Sequence, residues 1–83
     1  MKTVIYTNVA RKALARMPAN VARLVRAKIE QYAEDPASLA RNVVNLQRRD
    51  GYRLRVGDWR GIFDEEGRVL HILQIGPRGG MYG

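Results

Sequence analysis

The spacing of apolar residues changes period once along this chain. Residues 2–7 are rich in Thr, Val, Ile and Tyr and predict a short strand. Asn8 is the expected N-cap of the helix that follows. Ala10, Ala13, Leu14 and Met17 then recur at helical spacing and share one face. Pro18 ends that helix and opens the next, where its missing N–H costs nothing. The second helix carries an apolar stripe of Val21, Leu24, Val25, Ile29 and Tyr32, and Asp35-Pro36 stops it near Glu34. These two segments predict an antiparallel helix hairpin with a tight joint.

Residues 36–51 read as a connector with a helical turn around 38–41, pinned to the core by Val43, Val44 and Leu46. Beyond it the period is two. Tyr52, Leu54 and Val56 point one way, and Arg53 and Arg55 the other. Gly57-Asp58 is a two-residue hairpin signal. Trp59 to Asp64 is the return strand, Glu65-Glu66-Gly67 turns the chain, and residues 68–75 form a further strand. Gly-rich residues 76–83 hold Pro77, Arg78 and Tyr82. The expectation is one α+β domain over 1–83. It has a small, mostly antiparallel sheet of about four strands and an N-terminal helix hairpin packed on one face.

Composition narrows the chemistry. The 83 residues include no Cys and one His, so thiolate zinc sites, multi-His metal sites and a Cys/His nucleophilic pair are excluded. No metal and no small-molecule cofactor is expected. The net charge is +7, which points to an anionic partner. Of the 15 basic residues, 12 are Arg, the side chain that forks onto phosphates. Residues 1–49 hold ten basic and three acidic residues, whereas 50–83 hold five of each. The net charge therefore lies entirely in the first half. Lys12, Arg16, Arg23 and Arg26 on the helices are candidates for binding nucleic acid, and they also read as solvated faces. No leader pattern and no run of about 20 apolar residues is found. No membrane association and a cytoplasmic location are expected.

The neutral half holds the more unusual pattern. If Gly57-Asp58 is a two-residue turn, Val56 pairs with Trp59 and Arg55 stands directly opposite Arg60, with Arg53 on the same face. Like charges directly opposed across two strands are destabilising. The cluster reads equally as three solvated side chains and as an anion site. His71 falls near Arg60 if the second hairpin has simple register. On the other face, Tyr52, Leu54, Val56, Trp59 and Phe63 look like core. Tyr82 reads either as idle or as a phenol folded back toward the arginines.

The stretch Gly51-Tyr52-Arg53-Leu54-Arg55-Val56-Gly57-Asp58-Trp59-Arg60, then Ile62-Phe63-Asp64, then Ile75-Gly76-Pro77-Arg78-Gly79-Gly80-Met81-Tyr82, resembles the RelE/ParE superfamily of bacterial toxins. The resemblance covers nearly the whole chain. It implies the toxic half of a type II toxin–antitoxin module, with a cognate antitoxin as partner. For the RelE-like branch it implies cleavage of mRNA on the ribosome. By position, Arg53, Arg55 and Arg60 match the basic strand residues that hold the scissile phosphate, and Arg78 and Tyr82 match the tail Arg and Tyr. Lys12, Arg16, Arg23 and Arg26 would then contact ribosomal RNA. Arg is a poor general base because it stays protonated, which leaves Tyr82 as the candidate for proton transfer. Two alternatives stand beside this reading. One is a ParE-like inhibitor of DNA gyrase, and the other is a basic nucleic-acid-binding module without catalysis.

Overall fold

The computed structural model describes residues 2–46 and 51–77. Strand β1 (Thr3–Tyr6) leads into helices α1 (Asn8–Arg16) and α2 (Ala19–Glu34). A 3₁₀ segment over Pro36–Asn42 then leads to strands β2 (Val43–Asn45), β3 (Tyr52–Val56), β4 (Trp59–Glu66) and β5 (Val69–Pro77). The strands form one sheet in the order β1-β5-β4-β3-β2. Every pairing is antiparallel except β1 with β5. The expected α+β class holds, with five strands rather than about four.

The extra strand is β2. The connector does carry the expected helical turn, but its last residues pair with β3, Val43 opposite Leu54 and Val44 opposite Arg53. A three-residue strand has too little internal pattern to announce itself, and its partner decides it. Pairing also sends alternate side chains to opposite faces. Val43 packs against the core, while Val44 turns away and is 46% exposed. The expectation that both pin the connector to the core is corrected accordingly.

The first helix is capped one residue earlier than expected. Thr7, not Asn8, accepts the Ala10 N–H on its Oγ1 at 3.2 Å. The same hydroxyl reaches the carbonyls of Ile72 and Leu73 at 3.0 and 2.9 Å. One side chain thus ends β1, starts α1 and ties both to β5. Pro18 precedes α2 as its N-cap rather than forming its first turn.

The core lies between the helices and one face of the sheet. Ala10, Leu14 and Met17 of the first helical segment and Val25, Ile29, Tyr32 and Ala33 of α2 pack there. They meet Leu54, Val56, Phe63, Leu70, Ile72 and Ile75 of the strands. The Phe63 ring lies between Tyr52, stacked at 5.3 Å, and Tyr32, tilted at 5.1 Å. Gly51 is held at φ +130°, where an added Cβ would stand 3.1 Å from the Phe63 carbonyl oxygen. Gly61 differs. It is buried on the core face, a Cβ there would meet nothing within 4 Å, and it borders a void of about 10 Å³ beside Ile29 and Tyr32. Gly61→Ala should fill part of this space and lower unfolded-chain entropy. A gain of up to about 1 kcal/mol is expected, read as a higher melting temperature.

At the rim of the core the Tyr32 hydroxyl donates to Glu65 Oε1 at 2.8 Å, and Lys2 Nζ lies 3.0 Å from Oε2. Burial pushes the Glu65 carboxyl up. The hydrogen bonds from Lys2 and Tyr32 outweigh it and hold the group below its ordinary value of 4.5. Burial and the bond to Glu65 push the Tyr32 phenol well above its usual value. A lowered carboxyl stabilises the fold above its unfolded pKa and loses that contribution as pH falls through the folded one. Denaturant midpoints should therefore fall from about pH 5 downward. In Glu65→Gln that part of the pH dependence should be missing. An unchanged acid limb would mean that Glu65 does not carry it.

Candidate functional site

The site is built on the sheet face that the helices leave uncovered. Side chains alternate, so residues between core positions must point there. On β3 these are Arg53 and Arg55, which flank the buried Leu54. On β4 they are Arg60, Ile62 and Asp64, and on β5 His71 and Gln74. On β1, Ile5 lies between Val4 and Tyr6, both packed on the core.

Cross-strand register arranges these residues in rows. Gly57, at φ +59°, makes the tight β3–β4 turn, and Val56 pairs with Trp59. The row nearest the turn is Arg55–Arg60–Gly76. The middle row is Val44–Arg53–Ile62–Gln74, in which Ile62 is fully buried. The far row holds Asp64, His71 and Ile5. Arg55 is exposed, and Arg53 and Arg60 are half-buried. The expected sharing of one face by all three arginines, with Arg55 directly opposite Arg60, is therefore present. Side chains so opposed have Cβ atoms about 5 Å apart, close enough for two guanidiniums to hold one tetrahedral anion. Charge-assisted, forked hydrogen bonds are the strong kind for such a group.

His71 is not near Arg60. The chain turns at Gly67-Arg68 rather than at Glu65-Glu66-Gly67, so Glu66 pairs with Val69 and Asp64 with His71. His71 Nδ1 lies 2.8 Å from Asp64 Oδ1. A bulge between Ile62 and Phe63 then shifts the register by one residue, so that Ile62 pairs with Gln74 and Gly61 with Ile75. Gly67, at φ +60°, carried the signal, because a glycine opening a two-residue turn fixes the pairs on either side.

Lys12, Arg16, Arg23 and Arg26 are all exposed on α1 and α2, on the opposite side of the sheet from the arginine rows. Arg26 is engaged, its guanidinium 5.9 Å from the Tyr6 ring centroid. Arg78 and Tyr82 lie outside the described residues. Among the described residues no three His, Cys, Asp or Glu side chains gather as a metal-binding group. None of the described helices is long and apolar enough to cross a membrane.

Comparison with known proteins adds to this geometry. The sequence model for "ParE toxin of type II toxin-antitoxin system, parDE" matches residues 4–82. No curated protein sequence matches. Among solved structures, the chain is similar to the archaeal RelE–RelB complex of Pyrococcus horikoshii OT3, with 27% identity and a TM-score of 0.77. That match covers 95% of this chain and 97% of the other. The fold also matches the intact E. coli RelBE toxin–antitoxin complex at 18% identity and TM-score 0.74, covering 93% and 96% of the two chains. E. coli YafQ matches at 17% identity and TM-score 0.62 over 100% of both chains.

Proposed function

Because the chain belongs to the ParE toxin family of type II toxin–antitoxin systems, we propose that it is an endoribonuclease that cuts mRNA during translation. The observation that carries this reading is the in-register opposition of Arg55 and Arg60, with Arg53 one row away on the same face, turned away from the helices. RNA supplies its own nucleophile. The ribose 2′-oxygen bonds to phosphorus, the bond to the 5′-oxygen breaks, and a cyclic phosphate and a 5′-hydroxyl result. One proton leaves the 2′-hydroxyl and one reaches the departing oxygen. The arginines offset the charge that builds on the phosphorane, the part of such a reaction that fixed donors lower most. Proton transfer falls to Tyr82, with Arg78 as a further phosphate ligand.

The helix cations Lys12, Arg16, Arg23 and Arg26 suit a second task. They face away from the arginine rows, so a short RNA in the site leaves them free to meet ribosomal RNA. The complexes of RelE with RelB support a cognate antitoxin as the protein partner. A cytoplasmic location follows from that role.

The deciding experiment is induced expression followed by mapping of transcript ends. Cuts inside reading frames, lost when the start codon is removed, are expected. The match to the ParE model supports a second reading, inhibition of DNA gyrase. Intact transcripts together with blocked supercoiling by purified gyrase would establish it instead.

A further inference from the structure

We propose that the far row of the same sheet face is a nucleobase subsite, in which His71 and Ile5 stack a base of the RNA strand held by the arginines. This inference rests on the ribonuclease reading and assigns its sequence preference.

Ile5 and His71 are direct partners across β1 and β5, and both point away from the core. Ile5 is 44% exposed, and the His71 side chain is 33% exposed. An exposed isoleucine beside a half-exposed imidazole gives the fold little and offers a flat apolar surface. Asp64 takes one ring nitrogen, with 2.8 Å between Nδ1 and Oδ1. That contact fixes the ring orientation. It also turns the Asp64 carboxylate toward a donor, so the row repels a phosphate strand less than a bare carboxylate would.

The layout matches what single-stranded nucleic acid needs. Such sites pair a cationic track for the backbone with aromatic surfaces for the bases, and histidine is among the side chains on which RNA bases stack. Here the track is Arg55, Arg60 and Arg53. The platform begins one row beyond Arg53, about 13 Å along β4 from Arg60. A phosphate at the Arg55–Arg60 row therefore places a flanking base, not one at the cut itself, over His71.

The test uses full-length protein, purified ribosomes and mRNAs randomised around the cut codon. Wild type is compared with His71→Ala, His71→Phe and Ile5→Ala, each first shown to melt at the wild-type temperature. His71→Ala should raise KM about ten-fold and flatten the modest preference at a flanking base. Ile5→Ala should do the same more weakly. His71→Phe should keep the preference, because it keeps the ring. An unchanged cut profile and KM in folded His71→Ala overturns the subsite. Equal loss in His71→Ala and His71→Phe overturns stacking as its basis. Absence of any cutting by wild type is a separate result and removes the ribonuclease reading itself.

Discussion

Arg60→Ala should abolish growth inhibition and lower cleavage of translated mRNA by about 10²- to 10³-fold, the usual cost of one fixed donor to a developing oxyanion. Arg60 stands directly opposite Arg55 in the row nearest the turn. It is half-buried, so its guanidinium works in a less watery setting than that of the exposed Arg55, and charge interactions strengthen as water is excluded. Arg55→Ala should therefore cost less than Arg60→Ala. Arg60→Lys should recover only part of the loss, because an ammonium keeps the charge without the fork. The checks are colony counts after induction, rates on ribosome-bound message, and melting temperatures to show that each variant folds. Full activity in a folded Arg60→Ala protein would falsify the arginine-row site.

Phe63→Ala is expected to remove a large share of the stability of the domain. Phe63 is 2% exposed and sits between two tyrosine rings. Truncating a buried Phe costs about 3–5 kcal/mol. A chain of this size has about 4–12 kcal/mol in total, so the variant should unfold at a much lower urea concentration than wild type. Phe63→Leu keeps most of the volume and should lose much less. Urea titration separates the two. The substitution also bears on function, since Phe63 lies between Ile62 and Asp64 beside the β4–β5 bulge. Loosening it should blur the register that aligns the rows of the face turned away from the helices. If Phe63→Ala unfolds at the wild-type urea concentration, the ring cluster is not the keystone of the core.

What could be read from residues alone was whatever depends on local chemistry. Gly57-Asp58 sets the β3–β4 register by itself, so Arg55 and Arg60 could be paired before any coordinates. The helix stripes worked for the same reason, since Leu14, Val25 and Ile29 each reach the core their spacing points to, but Leu24, expected on the same stripe, turns outward and is 51% exposed. Most of the other misreadings involve partners distant in sequence. Thr7 caps α1 from a position also held by Ile72 and Leu73. Val43 and Val44 form a strand only because β3 is there to receive them. His71 was placed beside Arg60 because the Glu65-Glu66-Gly67 reading centred the turn too early, and β4 and β5 are long enough to carry that error several residues. The Asp64–His71 pair was invisible for that reason alone. Arg78 and Tyr82 lie outside the described residues, so their roles still rest on the family resemblance.

The parallel pairing of β1 with β5 has a consequence for when the protein becomes dangerous. Thr3–Tyr6 are synthesised well before their partners, Val69 to Ile72, which come more than 60 positions later. Such distant pairing is slow to form, because a long loop must close before any contact rewards it. Arg60 likewise cannot be flanked on both sides until β5 has been made. A chain still being synthesised therefore carries its helices and arginines without a finished sheet to align them. A partner that binds the early segments would have the whole interval of synthesis in which to reach them.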